Sequence, residues 1–230
     1  MSAPVVFITA DPRECAPWVA KWSGIESVPS ASYWMRRGMW RGRPMIAIAN
    51  GAGASRAYAA AMQVPRAAQI WNIGFGGAAD PALESGDIFV ADVVRANGHS
   101  FPCERPRSSV AFRSGVLDSI EKIAQTAREK SNHYRCGASV IEMEAAGTAR
   151  AASELNAPFF CVRAISDLAA EDFANDFGAA LGPDGRFSAI RLVAGAMLSP
   201  RSRFGELIRL RKRTAAAAKN LGEFLAQCEF

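Results

Sequence analysis

Short, mostly apolar runs recur along the chain, at Val5–Ala10, Pro44–Ala49, Ala68–Ile73, Ile88–Val94, Ser139–Met143 and Phe159–Ile165, and most are separated by stretches with helical spacing. A strand with one wet face alternates apolar and polar residues. Runs as continuous as these belong to strands covered on both faces. The pattern therefore predicts an α/β fold: a mixed, twisted, largely parallel β-sheet flanked by helices. At 230 residues the chain is long enough for one such domain to bury an ample core. No internal repeat or linker divides it, so residues 1–230 are expected to form a single domain ending in a basic helix over about 203–228.

In finer detail, Asp11-Pro12 stops the first run, and a helix follows through Trp18, Val19 and Trp22. Ser32–Met39 and Pro44–Ala49 flank Arg41-Gly42-Arg43 as a hairpin. Asn50–Ser55 is a glycine-rich turn before a helix ending near Met62, and Gly74-Phe75-Gly76-Gly77 reads as a second turn, closing a strand. The polar stretch 97–109 is expected to be a loop. Val116, Ile120, Ile123 and Ala127 suggest a helix over Ser114–Lys130. Further helices are expected over Glu144–Leu155 and Phe187–Leu198, with a turn at Gly182-Pro183-Asp184-Gly185 between the last strand and the second of them.

Composition excludes several classes. The five cysteines (Cys15, Cys103, Cys136, Cys161, Cys228) are odd in number and form no CxxC pair, which predicts reduced thiols in a cytoplasmic protein. With two histidines, His99 and His133, and no His/Cys cluster, no metal site is expected. No apolar run approaches the ~18 residues of a membrane span, and the N-terminus reads as a first strand rather than a signal peptide. Of the net charge of +5, residues 201–230 carry +4, so the basic character belongs to the tail. Arg209, Arg211, Lys212 and Arg213 stand there beside Leu207, Ile208, Leu221, Phe224 and Leu225. Such a helix docks on its own domain with its charges solvated, or lies on an anionic membrane surface; docking is favoured. No nucleic-acid motif is present.

Acids at strand ends carry the chemistry. Glu142 and Glu144 end the Ser139–Met143 run, Ser166 and Asp167 end the Phe159–Ile165 run, and Glu14 follows the first. In an open α/β sheet, ligands bind at the carboxyl ends of strands. Acids from three strand ends and a glycine segment converging there suit a small polar ligand: one carboxylate accepts both hydroxyls of a diol, and a buried one delivers a proton. Structural uses compete with this reading. Glu142, Glu144 and Glu14 could each serve a helix N-terminus, and Asp167 could be an N-cap. Arg163, inside an apolar strand, is expected to pair with a site carboxylate.

Ile141-Glu142-Met143-Glu144-Ala145-Ala146 resembles the ribose-binding motif of the nucleoside phosphorylase and 5'-methylthioadenosine/S-adenosylhomocysteine nucleosidase family. Val162-Arg163-Ala164-Ile165-Ser166-Asp167 resembles that family's proton-donor motif, and Asn72–Ala78 and Leu83–Ile88 resemble its glycine-rich segment and the turn and strand that follow. The resemblance implies cleavage of the N-ribosidic bond of a purine nucleoside or adenosyl compound, without metal or organic cofactor. By position, Glu144 would bind the ribose hydroxyls with Glu142 beside it, and Met143 would pack on the sugar. Asp167, oriented by Ser166, would protonate the purine, and Gly74, Phe75, Gly76 and Gly77 would approach the ribose or nucleophile. Glu14 matches the acid that positions water in the nucleosidases and stands where the phosphorylases place an arginine. Phe75 replaces a hydroxyl residue. Both departures favour hydrolysis over a reaction with phosphate as co-substrate.

Gly182–Arg186 and the basic C-terminal helix are similar to the hopanoid-associated phosphorylase branch, which implies the alternative of an adenosyl-hopanoid phosphorylase. A catalytically inactive nucleoside- or lipid-binding protein is the alternative of another class. The purine-stacking aromatic is left open among Phe101, His133 and Tyr134. The resemblance also implies a homo-oligomer, a dimer by preference.

Overall fold

β1 (Val5–Thr9) sets the layering. Successive side chains of a strand point to opposite faces. Val5 and Phe7 enter an aromatic cluster with Trp18, Trp71 and Phe160, while Val6 and Ile8 enter an alanine-rich one with Ala57, Ala60 and Ala149. The structure, a computed structural model, describes residues 2–186 and 200–230. The helix expected over Phe187–Leu198 lies outside the described residues.

Around β1 the chain continues as α1 (Pro12–Val19), β2 (Ser23–Ser27), β3 (Trp34–Trp40), β4 (Arg43–Ala49), α2 (Ala54–Ala61) and β5 (Gln69–Ala78). β3 and β4 form the expected hairpin, with Arg41 and Gly42 both at positive φ as a two-residue turn requires. Then come β6 (Ile88–Ala96), β7 (His99–Pro102), β8 (Arg113–Ser119), α3 (Ala127–Arg135), β9 (Val140–Glu142), α4 (Ala145–Glu154), β10 (Phe159–Asp167), α5 (Phe177–Ala180) and α6 (Pro200–Ala226).

The sheet is mixed, as expected. β1 lies parallel to both β4 and β5, and β5 is parallel to β10. β10 then pairs antiparallel with β6, β6 and β8 run parallel, β8 and β9 run parallel, and β9 returns antiparallel to β5. Five strands thus close on themselves, and β5 is the fork. Its residues 69–72 pair with β1 along one edge, and Gly77 and Ala78 pair with β9 along the same edge. Residues 73–76 have neither strand beside them there.

Three local expectations are overturned. Gly74–Gly77 does not turn the chain; it lies within the ten-residue β5 and pairs with β10. Ser114–Lys130 is not a helix. β8 occupies its start, because Leu117 finds a buried place between Val94 and Val140, and ladder partners on both sides outweigh a weak helical period. The helix begins instead at Thr126, whose side chain and Glu129 form a capping box. The 97–109 loop contains β7, a short hairpin arm on β6.

α6 docks through Ala217, Leu221, Phe224 and Leu225, all buried beside Trp18, while Arg209, Arg211 and Lys212 stay exposed. Among the described residues, no helix is long and apolar enough to cross a membrane.

Candidate active site

Glu14 lines the gap along β5, and Asp167 stands just beyond its end, at Gly77. Glu14 sits in the first turn of α1, where Asp11 caps the helix and Glu14 returns the bond, a capping box. It is buried. Oε2 accepts from the Thr9 hydroxyl and from the backbone N–H groups of Ala10 (3.0 Å) and Asp11 (3.2 Å); Oε1 accepts from the Phe75 N–H at 3.2 Å. One lone pair on Oε1 is left for a ligand. Burial pushes this carboxyl above its ordinary pKa, against the donors that favour its charge. Gly74 makes the approach feasible: a Cβ there would stand 2.9 Å from Glu14 Oε2.

Glu142 and Glu144 part company at the β9–α4 junction. Glu142 is engaged at both oxygens, most heavily at Oε2. Arg163 donates to Oε2, and the N–H groups of Glu144 (2.9 Å) and Ala145 (2.9 Å) cap α4 on the same carboxylate. Arg163 also donates to the Asn72 carbonyl at 3.0 Å and to the Asn72 side chain, which in turn donates to Thr148 at 2.9 Å. Burial would lower the Arg163 pKa, but the Glu142 charge holds it above the ordinary value. The expected ion pair of Arg163 is therefore present, and Glu142, expected among the ligand contacts, has its oxygens committed to the protein itself.

Glu144 remains partly accessible and, among the described residues, accepts a single protein bond, from the Gly53 N–H at 3.0 Å. Burial, then the charges of Glu142 and Glu14, push its pKa up to about 8. Gly147 permits this contact: a Cβ there would lie 1.8 Å from the Ala54 carbonyl oxygen, so α4 seats against the start of α2 only with glycine. Met143, partly exposed, lies between the two acids in sequence.

Asp167 ends β10 opposite Gly77, where a Cβ would come within 2.9 Å of its Oδ2. Ser166 donates to Oδ1 at 2.8 Å, the orienting bond expected of it. The other oxygen accepts from Lys130, on α3, at 2.6 Å. Lys130 is wholly buried and is the main residue that sequence reasoning missed; a lone lysine in a polar helix carries no local signal. Thr9, Gly53 and Asn72 were missed as well.

Of the aromatic candidates, Phe101 pairs with Val94 on β6 and packs on the alanine-rich core. His133 is bonded to Asp118 at 2.7 Å, and Tyr134 is exposed. Phe173, over whose ring Lys130 Nζ stands at 4.8 Å, brings an aromatic to the Asp167–Lys130 pair and lies edge-on to Phe177 at 5.0 Å. Among the described residues, no group of three or more His, Cys, Asp or Glu is placed to hold a metal ion.

A mixed α/β sheet that forks, with Glu14 and Asp167 beside the fork, defines an α/β protein with a candidate acidic site. The Phosphorylase superfamily model matches residues 4–113 and 108–182, and the chain belongs to that superfamily. A 5'-methylthioadenosine/S-adenosylhomocysteine nucleosidase of Staphylococcus aureus is 31% identical over 130 residues, covering 44% of this chain and 57% of the relative. The match thus spans a little over half of that relative's length. Among solved structures, an S-adenosylhomocysteine nucleosidase of Streptococcus pyogenes with 5-methylthiotubericidin superposes with a TM-score of 0.73 at 18% identity, covering 98% of this chain and 95% of that one. The futalosine hydrolase of Helicobacter pylori gives a TM-score of 0.73 at 14% identity, covering 99% and 97%. These likenesses bear out the expected fold.

Proposed function

We propose that the protein cleaves the N-ribosidic bond of a purine nucleoside or adenosyl compound by hydrolysis. The observation that carries this reading is the set of three acids with different protein partners: Glu14 on the Phe75 N–H of β5, Asp167 at Gly77 on Lys130 and Ser166, and Glu144, close enough to feel the Glu14 charge, on the Gly53 N–H. Glu144 keeps most of its acceptor capacity for the 2'- and 3'-hydroxyls, and Met143 packs on the sugar. Asp167, oriented by Ser166, serves purine N7 as the bond breaks. Neutral purine leaves far more readily than its anion, which is what a positioned acid achieves.

Water is the favoured nucleophile. The Phe75 N–H, a donor a phosphate would need at Gly74–Gly77, is already given to Glu14. A phosphate entering there would meet a carboxylate. Glu14 Oε1, with its remaining lone pair and raised pKa, suits a water and the proton that water loses. No cofactor takes part. The protein acts as a cytoplasmic homo-oligomer, a dimer by preference, on a small-molecule nucleoside, and residues 1–230 work as one domain. The exposed arginines of α6 leave a membrane-surface contact as a second role for that helix, read by flotation with anionic vesicles.

The test is free-base release from 5'-methylthioadenosine, S-adenosylhomocysteine, adenosine and inosine, each with and without phosphate. Release from at least one substrate without phosphate is expected. Release only with phosphate would overturn hydrolysis. No release, accompanied by nucleoside-induced thermal stabilisation, would mark a binding protein.

A further inference from the structure

We propose that Lys130 holds the proton that Asp167 delivers to the leaving base, so that the two form a relay. This rests on the cleavage reading above. Lys130 Nζ stands 2.6 Å from Asp167 Oδ2 and 2.9 Å from the Leu168 carbonyl oxygen, and it faces the Phe173 ring at 4.8 Å. Two acceptors and a π-face occupy an ammonium. Asp167 in turn accepts from Lys130 on one oxygen and from Ser166 on the other, the bonding of an ionised carboxylate. An ionised carboxylate cannot protonate a base, and the adjacent donor with a proton to give is Lys130.

The molecule's other buried ion pair makes the contrast. Glu142 is matched with Arg163, whose guanidinium stays protonated in any protein environment. Asp167 is matched with lysine, whose ammonium, unlike a guanidinium, carries a transferable proton. Nearby titratable groups have their own partners: Asp172 accepts from the Ala127 N–H at 2.6 Å, Glu129 caps Thr126, and His133 is bonded to Asp118.

As the C–N bond lengthens, its electron pair moves onto the purine and N7 becomes more basic. One proton passes from Nζ to Oδ2 and one from Asp167 to N7, so the base leaves neutral and Lys130 is left as an amine. The attacking water sheds a proton as its oxygen bonds to the sugar carbon. Lys130 regains one from solvent, and the cycle consumes none. Lys130 acts through Asp167 and is a positioning residue that also stores the proton.

The experiment is the pH profile of kcat, which reports the substrate complex, for wild type, Lys130→Met and Lys130→Arg, with melting curves for each. In the relay, the wild type works until the pair loses its last proton, at the lysine. Lys130→Met must then rely on protonated Asp167 alone, and its alkaline limb moves to lower pH by about one unit or more. If lysine only depresses the pKa of Asp167, removing it moves that limb to higher pH; this outcome, or an unmoved limb, overturns the relay. Lys130→Arg keeps the cation without a transferable proton and is expected to lose kcat by about 100-fold with KM little changed. Wild-type kcat in that variant also overturns the relay, and it decides the matter should Lys130→Met not fold. A wild-type protein that releases no base sinks the cleavage reading and the relay with it, whereas an active wild type with unmoved variants sinks the relay alone.

Discussion

Glu142 and Glu144 stand two residues apart and do opposite work. Glu142 still belongs to β9, and its side chain runs inward to Arg163 and back to the first N–H groups of α4. Glu144 is the N-cap position of α4, beyond the strand, and among the described residues its side chain accepts one bond, from the Gly53 N–H. One carboxylate is neutralised by a guanidinium and by helix N–H groups. The other is crowded by Glu142 and Glu14 and keeps its proton to a higher pH. The lesson is that two acids of one short segment can be satisfied very unequally: Glu142 organises the helix start, and Glu144 keeps the acceptor capacity on which its proposed role rests.

The contrast can be broken most forcefully at Glu142. Replacing it with alanine leaves Arg163 buried without its anion and should cost about 3–5 kcal/mol of stability, measured by urea unfolding. A loss below 1 kcal/mol would mean that the pair does not hold the junction. Glu144→Gln should leave stability at neutral pH intact or improved while lowering kcat/KM on ribosides by roughly 10- to 100-fold, the worth of a hydrogen bond to a charged group. A 2'-deoxyriboside should lose less; equal losses would refute the diol contact.

The same variant sharpens the comparison through pH. The folded pKa of Glu144 is raised, from an ordinary 4.5 to about 8. The folded protein therefore keeps a proton that the unfolded chain gives up, and stability on this account is full below about 4.5 and falls as pH rises toward about 8. Glu144→Gln should flatten that part of the melting-temperature profile. Because an ionised carboxylate is needed to accept two hydroxyls, wild-type kcat/KM should climb with pH up to about 8, and a flat profile would contradict the role.

Gly147→Ala tests the junction from the α2 side. With 1.8 Å to the Ala54 oxygen, the added methyl must push α4 from α2, costing about 1–3 kcal/mol and drawing the Gly53 N–H away from Glu144. Sugar binding should weaken in step with stability, read as a rise in KM. The smallest effect is expected from Arg213→Ala, which removes a half-exposed pair with Glu171 at 2.7 Å and should cost less than about 1 kcal/mol in a thermal melt.

Strand and helix identities written in continuous apolar runs, such as β1, β5 and β10, were legible in the sequence because burial on both faces leaves only one composition open to them. The acids Glu14, Glu144 and Asp167 were legible because a charge at the end of such a run demands an explanation. β8 was not, because its few apolar residues fit a helical period as well as a strand, and only partners distant in sequence settled it. The fork in β5 was invisible for the same reason. Glycines read as a turn locally, and their need in β5 comes from side chains of other elements, Glu14 against Gly74 and Asp167 against Gly77.

The sequence by itself thus determined the layers, the acids and their order along the chain. The tertiary structure alone decided which acid is committed and which is free, and it brought Lys130, 37 residues away in sequence, onto Asp167. The reason is physical: periodicity and composition record what each residue does with water, whereas the state of a carboxylate depends on the donors that non-local packing places around it.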